Sequence, residues 1–138
     1  MRATIARSYA PVPLPNDVSP FDDIRDIIPL QVWIGVVARA VEGKEATLAA
    51  LELDPDVEVP EHHHGNEQTG ILLRGSLRFR IGDETKDLVP GSTWVIPADV
   101  PHAVHAGPEG AFLVELFAPP RSDWGGLERL EPGTPTGF

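Results

Sequence analysis

The 138-residue sequence contains no cysteine, which excludes disulfide bridges and thiolate metal sites. It is poor in basic residues, with 11 Lys and Arg against 21 Asp and Glu, for a formal net charge of −10. An acidic surface repels phosphate backbones, so nucleic acid is not an expected partner. The same field repels small anions unless local Arg or Lys residues reverse it inside a site. No apolar run is long enough to span a bilayer, and Arg2 and Arg7 are followed by no apolar leader segment. The expectation is a cytoplasmic protein with no membrane partner. Long helices are disfavoured too, because 13 Gly and 15 Pro interrupt the chain throughout.

What is present fits one globular domain of ordinary size: 41% apolar residues and 23% charged residues place the chain outside the disordered class. Residues 1–29 read as an N-terminal segment. Within it, Met1–Pro20 is an extended arm carrying four prolines. Phe21, Ile24, Ile27 and Ile28 follow the spacing of one or two helical turns, with Ser19 as cap and Pro20 at the first helical position. Residues 30–120 change character. Runs such as LQVWIGVVARA, ATLAALEL, QTGILLRG and AFLVELFAP are strand-length, rich in β-branched residues and separated by turn signals such as Gly82-Asp83 and Pro90-Gly91. This pattern predicts an all-β sandwich or barrel. Residues 121–138 are expected to be an irregular C-terminal tail.

All five histidines lie in two short segments. Side chains alternate along a strand, so His62 and His64 face one way and His63 the other. Two imidazoles aimed at one point are what metal chelation requires. Continued alternation puts Gln68 on the same face and Glu67 on the opposite one, but Gly65 and Asn66 interrupt the strand, and parity leaves both open as ligands. A lone histidine is more often an ordinary core or surface residue; an H-x-H pair with a second histidine segment downstream reverses that balance. His63 and His105 are offset from the ligand face.

The segment from His62 to Gly75 reads H-x-H-x3-Q-x6-G, which resembles the first cupin motif with glutamine in place of its usual glutamate. Gly91 to His102 reads G-x5-P-x-D-x2-H, which is similar to the second cupin motif, with Asp99 where glycine is usual. The resemblance implies a double-stranded β-helix, or jelly-roll barrel. It also implies one divalent metal ion (zinc, nickel, iron or manganese) on His62, His64, Gln68 and His102. Four neutral ligands leave the ion its full double charge, which favours Lewis-acid chemistry and a small anionic substrate.

A second group lies near the C-terminus. Glu115 and Phe117 share one strand face, and Arg121 follows a Pro-Pro turn. Spacing leaves open whether that face is inward. The Glu67-Gln68 pair and the ending F-x-P-P-R resemble the small cupins of pectin and alginate breakdown (KdgF-like proteins), whose Asp-x-Phe-x3-Arg segment supplies acid/base and substrate-binding groups. The resemblance implies an isomerase- or lyase-type enzyme of carbohydrate metabolism. It would open 4,5-unsaturated monouronates, with Glu115 moving the proton and Phe117 and Arg121 holding the substrate. The same metal pattern also resembles cupin hydroxynitrile lyases. Dioxygenase, polyketide-processing and non-catalytic binding roles stay open. The resemblance further implies a homodimer with exchanged N-terminal arms. Arg78 and Arg80 read as a solvated face, and Trp33 and Trp94 as packing residues.

Overall fold

A computed structural model describes residues 19–138. The Met1–Pro20 arm, but for its last two residues, and its proposed exchange between subunits lie outside the described residues. Nine strands follow in order: β1 (Leu30–Trp33), β2 (Val36–Glu42), β3 (Thr47–Leu53), β4 (Glu58–His62), β5 (Glu67–Ile81), β6 (Glu84–Leu88), β7 (Thr93–Ile96), β8 (His102–Ala118) and β9 (Glu128–Arg129). All pairings are antiparallel, and the chain forms a jelly-roll barrel.

Two long strands organise it. The first half of β5 pairs with the last part of β8 and with β7. Its second half pairs with the start of β8 and with β6, while β4 also pairs with the start of β8. The register slips between Leu72 and Arg74 and again between Gly75 and Leu77, so both strands crease at one level. Gly75 and Gly110 carry that crease at φ of 79° and 75°, in the region that favours glycine. A Cβ on Gly75 would lie 2.0 Å from the carbonyl oxygen of Gly110. Each long strand therefore contributes to both layers, and β3, β2, β1 and β9 extend one of them.

Inward positions fill the barrel with Val36, Ala38, Leu51, Leu72, Leu77, Phe79, Ile96 and Leu113, all buried. On the outside, Val41, Leu48, Leu116, Thr69 and Val95 lie in register across β2, β3, β8, β5 and β7. The four apolar members of that row are exposed. No helix among the described residues is long and apolar enough to cross a membrane.

Two expectations need correction. Phe21–Ile28 forms a turn rather than a helix, closed by Asp26 N–H donating to the Asp23 carbonyl at 2.9 Å. Asp22 and Asp23 accept from the amides of Asp23 and Arg25 at 2.8 and 2.9 Å, and such local bonds compete with helical ones. Only Ile27 of the periodic set is buried, and Phe21 is exposed. The tail is irregular only in its second half, from residue 130 onward. A 3-10 turn spans Ser122–Gly126, Trp124 is buried, and β9 pairs with β1.

The last residues are pinned by charge. Arg39 donates to Glu52, whose other oxygen accepts from the amide and hydroxyl of Thr136 at 2.8 and 2.7 Å. Burial alone would raise the Glu52 pKa, but the bonds from Thr136 and Arg39 more than offset it and hold it below its ordinary value of 4.5. A depressed carboxylate pKa contributes stability above the unfolded value, and that contribution is lost as pH falls through the folded one. Glu52→Ala leaves buried Arg39 uncompensated. It is expected to lower unfolding free energy by about 3 kcal/mol in chemical denaturation at pH 7, with a smaller difference in acid.

Candidate metal centre

His62 ends β4, and His102 begins β8 as its cross-strand partner. His64 sits in the short link to β5, and Gln68 is the second residue of β5. The three imidazoles converge, with ring centroids 4.2 Å apart for His62 and His102, 5.2 Å for His64 and His102, and 6.1 Å for His62 and His64. One nitrogen from each ring lies within 4.8 Å of the others, a spacing that one ion can bridge.

Hydrogen bonds fix which nitrogen faces the cluster. His62 Nδ1 lies 2.8 Å from the Pro60 carbonyl, and His102 Nδ1 lies 2.9 Å from that of Val100. A carbonyl only accepts, so both Nδ1 atoms carry the proton and both Nε2 lone pairs are left for a ligand. His102 Nε2 is buried and has no partner. Burial, followed by smaller effects that include the charge of Arg121, lowers the pKa of His62 and His64. It lowers that of His102 to about 4. The rings are therefore neutral near pH 7. An orphaned lone pair inside a neutral imidazole cluster fits a divalent ion.

Gln68 is held at both ends. His64 Nε2 lies 2.9 Å from its Oε1, and its Nε2 donates to Glu115 Oε2. Trp94 Nε1 donates to the same carboxylate oxygen at 2.9 Å. A carboxylate accepts, so the amide nitrogen must turn toward Glu115 and the amide oxygen toward the histidines. Glu115 thus faces inward and is 5% exposed. Burial raises its pKa to about 7, against partial relief from the Gln68 and Trp94 bonds and from Arg121. Glu67 is exposed on the opposite face.

The contact between Trp94 and Glu115 depends on a glycine. Gly70 stands between them in register, opposite Trp94 on one side and Glu115 on the other. A Cβ there would meet the indole at 2.4 Å. Gly70→Ala is expected to displace the indole and destabilise the fold by about 1–3 kcal/mol, seen as a lower denaturation midpoint with altered tryptophan fluorescence. Sequence reasoning assigned Trp94 to packing and missed its bond to Glu115. The available signal was an isolated glycine inside a strand, which marks close approach.

Arg121 reaches the same region but is already engaged. Its Nε and Nη2 donate to Asp123 at 3.0 and 2.9 Å, and its guanidinium carbon lies 4.9 and 4.8 Å from the Phe117 and Trp124 ring centroids. The edge expected to take a substrate carboxylate is held by Asp123. Neither Asp123 nor Trp124 carried a sequence signal for this role. His63 lies exposed near Asp99, and His105 pairs with Glu58. Arg78 and Arg80 pair with Asp87 and Glu61. A cavity of about 230 Å³ opens beside His62, Gln68, His102, Glu115 and Arg121.

The cupin domain family matches residues 49–117, half of the chain and the part that holds all four candidate ligands. The chain belongs to the cupin family. No curated protein matches it. Among solved structures, this cupin is similar to an RmlC-like cupin from Shewanella frigidimarina at 21% identity and a TM-score of 0.70, over 76% of this chain and 95% of that one. It is similar to KdgF from a Halomonas species at 23% identity and a TM-score of 0.64, over 69% and 88% of the two chains. It also resembles an oxalate decarboxylase variant of Bacillus subtilis, at 24% identity and a TM-score of 0.63, covering 70% of this cupin but only 28% of that chain. At these identities the likeness establishes the fold.

Proposed function

We propose that this cupin is a metal-dependent isomerase- or lyase-type enzyme that moves a proton on a small oxygenated acid. The observation that carries the reading is the join between Glu115 and the histidine cluster through Gln68. His62, His64, Gln68 and His102 would hold a divalent ion, which would supply Lewis acidity toward a substrate oxygen and so make a neighbouring C–H bond more acidic. Glu115 is the group that takes that proton and returns it. A carboxyl with a pKa near 7 is suited to both directions of transfer at neutral pH. Phe117 and Trp124 hold the Arg121 guanidinium near the site, where its charge offsets the acidic surface, and a substrate carboxylate competes with Asp123 for it.

The ring opening of 4,5-unsaturated monouronates is one concrete instance, supported by the Glu115–Arg121 segment and the likeness to KdgF. The test incubates metal-loaded protein in heavy water with hydroxy, keto and unsaturated acids, following carbon-bound hydrogen by NMR. Solvent deuterium appearing in an acid supports the reading; no exchange or conversion across the panel sinks it. Oxygen uptake by iron-loaded protein would instead favour a dioxygenase.

A homodimer has a suitable surface in the exposed row Val41, Leu48, Leu116 and Val95, which two copies would cover by pairing face to face. Leu116→Lys is expected to shift the protein from dimer to monomer in light scattering while leaving its circular dichroism unchanged.

A further inference from the structure

We infer that the acid taken by this cupin carries an apolar body, aromatic or branched aliphatic, and that only its oxygen-bearing head meets polar groups. The inference rests on the reading of the site as an acid-binding metal centre and narrows its substrate class, away from the hydroxylated uronates and toward acids with an apolar body. Along β8 the inward positions run Phe117, Glu115, Leu113 toward the crease. Glu115 is therefore the last polar position on that line. One step further, Leu113 stands in register with Leu51 on β3 and Leu72 on β5. In the other layer Val104 stands in register with Phe79 and Val59. Polar groups occupy one part of the cavity wall, and aliphatic and aromatic carbon forms the rest.

Most of the polar groups are also committed; of the buried side-chain nitrogens on the described wall, only His102 Nε2, in the candidate ligand set, and Trp124 Nε1 lack a partner. Both ends of the Gln68 amide are bonded, the Nδ1 atoms of His62 and His102 hold backbone carbonyls, and Asp123 covers one edge of Arg121. No serine, threonine, asparagine or tyrosine among the described residues lines the cavity. A polyhydroxylated body would leave most of its hydroxyls without partners, each at a cost of roughly tenfold or more in affinity. A phenyl or branched alkyl group would lose nothing there and would leave water. The volume of about 230 Å³ lies below the roughly 300–1,000 Å³ of pockets for drug-sized ligands, so the molecule is small.

The experiment is calorimetric titration of the full zinc-loaded chain with mandelate, galacturonate and lactate. All three offer a carboxylate and a neighbouring oxygen, but only mandelate adds an apolar body. Mandelate is expected to bind at least about tenfold more tightly than either of the others. Val104→Thr, close in shape and outside the ligand set, is expected to weaken mandelate several-fold with metal content unchanged. Galacturonate binding as tightly as mandelate, or mandelate no tighter than lactate, overturns the inference; so does the absence of binding by all three. Deuterium exchange separates this from the functional reading. A preference for mandelate without exchange on any acid leaves the inference standing and removes the catalysis. Exchange on an unsaturated uronate with no mandelate preference does the reverse.

Discussion

Glu115→Gln is expected to lower kcat by about 10²–10⁴-fold, the range a positioned general acid/base contributes, with the bound metal retained. Glutamine is close in shape to glutamate, and its amide oxygen can still accept from Gln68 Nε2 and Trp94 Nε1. The variant therefore removes the exchangeable proton and the charge while leaving the ligand amide held. Glu115→Leu separates the two roles. With no acceptor left, the Gln68 amide is free to rotate, and metal affinity is expected to fall about 10–100-fold besides the loss of turnover, as for other groups that orient a metal ligand. Single-turnover kinetics and metal analysis on both variants check this. Unchanged turnover in Glu115→Gln would remove Glu115 from the chemistry. The wild-type rate is expected to rise with pH through an inflection at or below about 7, because a nearby divalent charge draws the carboxyl downward.

The second large effect concerns the histidines. His102→Ala removes a buried ligand and is expected to weaken metal binding by at least about 100-fold, read by titration against a competing chelator. Wild-type protein is expected to release its ion as pH falls, since protons compete for the same lone pairs. In the metal-free protein the depressed pKa of His102 and the raised pKa of Glu115 act with opposite signs over overlapping windows. Between 6.5 and about 4 the unfolded chain binds the extra His102 proton, so the contribution of this ring falls as pH drops through that window and levels off below it, while that of Glu115 falls as pH rises from 4.5 to about 7. A His102 ring that titrates at its ordinary value of 6.5 in NMR of the metal-free protein would contradict the buried, neutral ring.

The barrel and the convergence of its histidines were legible because both follow strand alternation. His62, His64, Gln68 and His102 meet as the H-x-H-x3-Q and downstream histidine motifs imply, and the structure turns Gln68 rather than Glu67 toward the histidine cluster. Glu115 could not be oriented from spacing, because an inward carboxylate and an outward one share the same alternation. Its direction depends on Leu113 and Phe117 packing inward beside it. The commitment of Arg121 to Asp123 was hidden for another reason. It depends on a 3-10 turn set by the burial of Trp124, a tertiary effect that local composition does not encode. The periodic segment at Phe21–Ile28 misled because aspartates beside the apolar positions satisfied the backbone amides locally.

The crease at Gly75 and Gly110 has a mechanical meaning as well. Because β5 and β8 run through both layers, neither layer can come apart while the other stays intact, so the amides of both should exchange with solvent through one cooperative opening. An ion gripped at the histidine end therefore lends protection to hydrogens at the remote end of the barrel, slowing their loss by the same factor even though it touches none of them.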